Sequence, residues 1–247
     1  MNAMIFAAGI GNRLKPFTDN KPKALVSMHG KPMLQWVIEK LVNAGACRIV
    51  INVHHFPAMM ESFISELNYP GVVLQISDET QELLDTGGGL KKAVKFLNNQ
   101  EVTVLHNVDI VSDINLKDLV QTHKENDALA TLAVTKRDST RMFLWNEDRL
   151  AGWENRTTGE RLLCKGIDPH SVKPMAFSGI HVVSPEIFSL ISETGPFSIK
   201  DLYLRFASDH VIKAYEHNAD KWADIGTPEK LAKAIRLTNE FPEMLHP

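Results

Sequence analysis

Two cysteines, Cys47 and Cys164, are all that the 247 residues contain, too few for a disulfide framework or a thiolate metal site. No apolar run reaches the ~18–20 residues needed to cross a bilayer. The N-terminus begins on a strand-like segment with no basic stretch before it, so it does not read as a secretory leader. Positive charge is in short supply as well. Lys and Arg number 27 against 30 Asp and Glu, a net charge of −3, which gives no case for a nucleic-acid surface. Two glycine motifs are incomplete: the third glycine of G-x-G-x-x-G is Leu14, and the P-loop pattern G-x-x-x-x-G-K-[ST] is missing. These absences point to a cytoplasmic protein, give no case for nucleic-acid or membrane partners, and leave its oligomeric state open.

What is present is ordinary for a soluble globular protein: 44% hydrophobic and 23% charged residues, at a length that suits one α/β domain over 1–247 with a modest extension. Apolar runs alternate with helix-like segments in the first half, the pattern of a parallel sheet with crossover helices. Strands are expected at 3–7, 48–53, 72–76 and 102–105, and helices at 32–44, 57–67, 88–97 and 116–125. Leu34, Val37, Ile38, Leu41 and Val42 recur at helical spacing and predict a core-facing stripe. The second half reads as a mixed, strand-rich extension, with strands at 128–135, 143–145, 161–164 and 175–183, a hairpin turn at 155–159 and a last helix over 228–239 capped by Thr227.

The most informative stretch runs from Ala7 to Leu25. A buried strand ends in Gly9-Ile10-Gly11, and Arg13 and Lys23 follow. Glycines let backbone N–H groups approach an anion, and the two cations add fixed positive charge, which together suit a triphosphate. Taken alone, a G-x-G-x-R loop is as easily a surface turn. The Lys21-Pro22-Lys23-Ala24-Leu25 segment behind it changes the balance.

Gly9-Ile10-Gly11-Asn12-Arg13-Leu14 with Lys21-Pro22-Lys23-Ala24-Leu25 resembles the signature of sugar-1-phosphate nucleotidylyltransferases. Further matches follow in order: Leu84-Asp85-Thr86-Gly87-Gly88-Gly89, Asn107-Val108-Asp109, Phe177-Ser178-Gly179-Ile180, and Trp222-Ala223-Asp224-Ile225-Gly226-Thr227-Pro228. They span nearly the whole chain. The resemblance implies a Rossmann-like α/β fold, the nucleotide-diphospho-sugar transferase fold, whose sheet is mixed but mostly parallel, flanked by helices, with a small β-rich sugar-binding extension. Residues 1–126 would form the nucleotide half and 127–247 the sugar-binding and closing half. It further implies a nucleoside triphosphate and a sugar 1-phosphate as substrates, with Mg2+ as cofactor.

The same resemblance distributes the roles. Ala8, Gly9, Gly11, Asn12, Gly87, Gly88 and Asn107 would bind nucleotide. Gly87 and Gly88, opening a helix, would let a base or ribose come close and leave N–H groups free to donate. Asp78 and Glu79 read as solvated loop charges near the site. Asp109 follows an apolar run, so its carboxylate needs a partner, and a divalent cation is one. Asp224 on its own reads as a capping residue; with Asp109 and the matching motif it becomes the second metal ligand. Because the sugar phosphate is already an anion, no general base is required, and catalysis falls to orientation and charge neutralisation by Arg13 and Lys23. Glu154, Ser178 and Gly179 are the expected sugar contacts, Gly179 leaving room for the ring. Two departures stand out: Val108 occupies a position that is usually glycine, and no clear Val-Glu-Lys-Pro segment supplies a second catalytic lysine. Lys165 and Lys173 are only loose substitutes.

Within the family, the Thr86-Gly87-Gly88-Gly89 loop and the compact length most resemble the members that transfer uridylyl to N-acetylmuramic acid 1-phosphate. A lactyl carboxylate would then need a cation from Arg156, Arg161, Lys165 or Lys173. The alternatives are GTP with mannose or heptose 1-phosphate, CTP with phosphocholine, and a regulatory nucleotide-binding module without catalysis. Retention of Arg13, Lys23, Asp109 and Asp224 argues against the last.

Overall fold

The computed structural model describes residues 1–245. β1 (Asn2–Phe6) leads into the glycine loop; the small hairpin β2 (Ser27–Met28) and β3 (Lys31–Pro32) and helix α1 (Met33–Asn43) follow. Then come β4 (Arg48–Val53), α2 (Pro57–Ser65), β5 (Val73–Asp78), α3 (Asp85–Ala93), β6 (Thr103–Asn107), β7 (Ile110–Ser112) and α4 (Leu116–Glu125). The second half comprises β8 (Ala130–Thr135), β9 (Arg141–Asn146), β10 (Arg149–Asn155), β11 (Glu160–Leu163), β12 (Lys173–Val183), α5 (Ile187–Leu190), α6 (Ile199–Phe206), β13 (Ile212–Glu216), β14 (Trp222–Asp224) and α7 (Pro228–Glu240).

Ten strands make one sheet in the order β11-β10-β13-β8-β12-β6-β1-β4-β5, with β9 pairing both β10 and β12. β6, β1, β4 and β5 are parallel, as strands joined by helical crossovers must be. The strands of the second half continue this same sheet: β12 enters antiparallel between β6 and β8, and β13 returns parallel to β8. β7 and β14 form a separate two-stranded ribbon beyond the end of β6.

Strand alternation divides the core between the two faces of the sheet. Ala3 and Ile5 of β1 and Ile49 and Ile51 of β4 pack with α1, α2 and α4. Met4 and Val50, the intervening residues, pack with Leu90 of α3 and with Leu202, Tyr203 and Phe206 of α6. The predicted α1 stripe is there, with Leu34, Val37, Ile38 and Leu41 all buried. A third cluster ties the glycine loop, through fully buried Leu14, to Ile225 and to Leu231 and Ala234 of α7. The cap predicted for α7 is present, Lys230 N donating to Thr227 Oγ1 at 3.3 Å. The 155–159 turn is also closed as expected, Gly159 N donating to Asn155 O at 2.8 Å. The helix expected from Gly88 starts earlier, at Asp85, and α6 and β13 lie where no element was expected. No described helix is long and apolar enough to cross a membrane.

Candidate active site

The parallel strands β1, β4, β5 and β6 all end on one edge of the sheet, and the loops that follow them meet there. At the end of β1, Ala7 N and Ala8 N donate to Asn52 Oδ1 at 2.7 and 3.3 Å, which ties the start of the glycine loop to β4. Asn52 Nδ2 in turn donates to Glu79 Oε1 at 2.8 Å, and Leu84 N donates to Glu79 Oε2 at 3.2 Å. Glu79 is fully buried, not a solvated loop charge, and burial raises its carboxyl above the usual range. One carboxylate and one amide thus hold three loops in fixed relation, because each buried polar group finds its partner in another loop.

Gly11 is the point where the first loop folds back. Its φ is +77°, and a Cβ there would lie 3.1 Å from both Lys23 Cβ and Thr18 Cγ2. Asn12 and Arg13 continue into a short 3-10 turn whose Leu14 is buried and whose other side chains face outward. The Arg13 guanidinium lies against Gly226 at the start of α7. Lys23 is pinned by an ion pair with Asp109.

The main chain sets Asp109 and Asp224 side by side, but Asp109 lines the cavity beside the glycine loop whereas Asp224 lines a separate surface pocket with Arg137 and Lys230. Asp224 pairs in register with Ile110 across the β7–β14 ribbon, and Ile225 N donates to Asp109 O at 3.0 Å. Each carboxylate already has a lysine, Lys23 for Asp109 and Lys230, at 2.7 Å, for Asp224. Among the described residues no group of three or more His, Cys, Asp or Glu could hold a metal. Two carboxylates with no third ligand suit magnesium, which completes its shell with phosphate oxygens and water, and do not suit a closed protein cage.

A cavity of about 440 Å³ opens beside these groups, lined among others by Ala8, Gly9, Lys23, Asn107 and Asp109. Val108, the departure from glycine, also lines it; its N–H donates to Phe6 O at 3.2 Å and its side chain is buried, so the substitution adds an apolar wall. Gly11 and Asn12 support the loop without lining the cavity. Asp85 and Thr86, which belong to the matching Leu84–Gly89 stretch but have no role assigned by the sequence, line it, as does Leu83, which lies outside that stretch.

Gly87 and Gly88 are placed differently from expectation. Their N–H groups are not free: both donate to Phe197 O, at 2.9 and 3.3 Å. A Cβ on Gly87 would lie 2.4 Å from the Phe197 ring, and one on Gly88 2.6 Å from Gly195 O. The glycines admit the 195–197 loop against α3, and it is Asp85 and Thr86 that face the ligand space.

The sugar side also needs correction. A second cavity of about 520 Å³ adjoins the first and shares Phe6, Asp85, Thr86 and Asn107 with it; Phe143, Trp153, Phe177 and Tyr203 wall it. Glu154 points to the other side of β10 from Trp153 and Asn155, because successive strand residues alternate, and it pairs with Arg156 at 2.9 Å. Ser178 is fully buried, and its Oγ bonds to His217 Nε2 at 2.6 Å. Gly179 leaves no room for a ring: its φ is +78°, and a Cβ would lie 2.7 Å from Ile110 Cγ1 and 3.0 Å from Asn107 Nδ2. On the cavity floor His181 Nδ1 bonds to Tyr203 Oη at 2.8 Å, and burial lowers the His181 pKa to about 3, so the ring is neutral. Arg137 stacks over Trp222, 4.0 Å from its centroid, beside Asp224.

A family model described as nucleotidyl transferase matches residues 2–240. The N-acetylmuramate alpha-1-phosphate uridylyltransferase of Caulobacter vibrioides is 31% identical over 243 residues, covering 95% of this chain and 96% of that protein. The mannose-1-phosphate guanyltransferase of Gibberella zeae is 32% identical, covering 93% of this chain but 62% of its own length. In three dimensions the UDP-glucose pyrophosphorylase of Acinetobacter baumanii superposes with a TM-score of 0.77 at 16% identity over 99% of this chain and 98% of its own. The inositol-1-phosphate CTP transferase of T. maritima gives 0.74 at 20% identity over 98% and 96%; at such identities the likeness is one of fold. With the glycine loop, the paired aspartates and the two adjoining cavities in one place, the chain belongs to the nucleotidyl transferase family, that of the sugar-1-phosphate nucleotidylyltransferases its loops resemble.

Proposed function

We propose that this protein transfers uridylyl from UTP to N-acetylmuramic acid 1-phosphate, with magnesium, releasing pyrophosphate. The observation that carries the choice of substrate is length together with similarity. The chain matches the Caulobacter uridylyltransferase end to end, 95% of one against 96% of the other, whereas it spans 62% of the Gibberella guanyltransferase. A second uridylyltransferase of this name, from Neisseria meningitidis, is likewise covered over 100% of its length at 28% identity.

In this reading a sugar-phosphate oxygen in the larger cavity attacks the α-phosphorus of the nucleotide in the smaller one. A new P–O bond forms, the bond to the β-phosphate oxygen breaks, and pyrophosphate carries away the electron pair. Arg13 faces the leaving β- and γ-phosphates. Lys23 exchanges its contact with Asp109 for the α-phosphate. Asp109 and Asp224 would hold the magnesium, which when bound would supply charge neutralisation at the reacting phosphates. Thr86 and Asn107, on the wall common to both cavities, position the two substrates for in-line displacement.

The test is a panel of four nucleoside triphosphates against muramic, glucosamine and mannose 1-phosphates, scored by pyrophosphate release with and without EDTA. UTP with the muramic derivative is the expected best pair, and chelation is expected to abolish turnover. Preference for GTP with mannose 1-phosphate would overturn the substrate assignment, and EDTA-resistant turnover the metal assignment.

A further inference from the structure

The far end of the larger cavity is built by three strands in register. Arg141 on β9 stands opposite Asn155 on β10, and Asn155 opposite Glu160 on β11. All three side chains line the cavity. The near end opens through Phe6, Asp85, Thr86 and Asn107 onto the nucleotide cavity. A sugar phosphate bound for transfer must point its phosphate to the near end, so the substituents most remote from that phosphate fall towards Arg141.

Arg141 differs from the other cations around this end of the cavity in being unengaged. Among the described residues its guanidinium has no ion pair or hydrogen bond. Arg156 and Arg161, two of the cations the sequence suggested, are both occupied by Glu154, at 2.9 and 3.8 Å. Lys200, the other cation lining the cavity, is paired with Asp201 at 2.7 Å and lies over the Trp153 ring. Lys165 and Lys173 do not line the cavity. A guanidinium offers two parallel N–H donors, the geometry of a carboxylate. Beside it, Asn155, whose Oδ1 already accepts from Thr157 N and Thr158 N at 3.0 and 3.4 Å, offers its Nδ2 donors, and Glu160 offers an acceptor for hydroxyl groups. We propose that Arg141 binds a carboxylate of the sugar and thereby selects a sugar acid over a neutral sugar. This rests on the transferase reading and assigns its acceptor specificity to one residue outside every motif that marked the family.

The probes are N-acetylmuramic acid 1-phosphate and N-acetylglucosamine 1-phosphate, titrated calorimetrically into the wild-type protein, Arg141→Met and Arg141→Lys. The wild type should bind the acid about 10- to 100-fold more tightly, the range expected for a hydrogen bond to a charged group. Arg141→Met should remove that preference while binding the neutral sugar within about threefold of the wild type, and Arg141→Lys should restore part of it. Arg141 is exposed, so neither variant endangers the fold. Equal binding of the two sugars by the wild type, or an equal loss of both in Arg141→Met, would overturn the proposal. Pyrophosphate release measured in parallel decides the transferase reading separately: its failure with every nucleotide leaves the affinity comparison to decide on Arg141.

Discussion

Asp109 and Asp224 each carry a lysine as counter-ion, and this arrangement is what makes them informative as single residues. A carboxylate a fifth exposed, at the end of an apolar strand, is poorly solvated and needs a cation, and the lysine supplies one. Asp109→Asn removes the charge and keeps the shape. Turnover should fall by at least about a hundredfold, the scale of losing a main electrostatic contact to the reacting group, with the melting temperature near that of the wild type. Unchanged turnover would mean that Asp109 holds no metal. At this scale position was legible in the sequence at Lys23, Asn107 and Asp109, which all line the smaller cavity. The sequence was a poor guide at Glu79, whose burial depends on Asn52 from another strand and on the N–H of Leu84, contacts that no local pattern announces.

Among the elements, β12 shows why face assignments failed where strand assignments held. The expected strand 175–183 is found within two residues at its start, yet Ser178 was chosen where Phe177 and His181 face the cavity. A period of two gives two faces, and a one-residue error exchanges them. A register shift between Phe177 and His181 makes the parity harder still to read. By contrast α6 was legible and passed over. Ser198 caps it, and Ile199, Leu202, Tyr203 and Phe206 repeat at helical spacing, all buried. The close approach at Gly179 gives a prediction for this element. Gly179→Ala combines left-handed backbone with a Cβ 2.7 Å from Ile110, an overpacking worth about 1–3 kcal/mol beyond the ~1–2 kcal/mol of backbone strain. Gly159→Ala shares the positive φ, +75°, but meets open space. Thermal melts should therefore show a clearly larger loss for Gly179→Ala than for Gly159→Ala. Equal losses would mean that Ile110 yields freely.

For the molecule as a whole, the parallel half and the order of motifs were legible because helical crossovers and strand-end loops follow local rules. The continuation of the second half into the same sheet was not, since it depends on pairings such as β13 with β8 across about eighty residues of chain. Whole-molecule stability should be sensitive to acid. Burial is the main cause that lowers His106 and His181 to about 3 and His123 to about 4, against about 6.5 unfolded. The unfolded chain therefore binds more protons between these values, so stability is full above pH 6.5 and is lost as pH falls towards 4 and 3. His123 sits on α4, bonded to Thr131 and Ser184 and away from both cavities. His123→Gln should flatten the slope of unfolding free energy against pH between 6.5 and 4, measured by denaturant melts; an unaltered slope would assign the acid sensitivity elsewhere. The two cavities share a wall of Phe6, Asp85, Thr86 and Asn107, and for the finished nucleotide sugar this has a consequence. In the proposed reaction the product is the two ligands joined, so it would occupy both chambers as a tethered, bivalent guest, its second half binding at the effective concentration set by the first. That product should raise the melting temperature more than uridine monophosphate and the sugar phosphate together at equal concentrations; an equal rise would mean that the two chambers do not hold one guest.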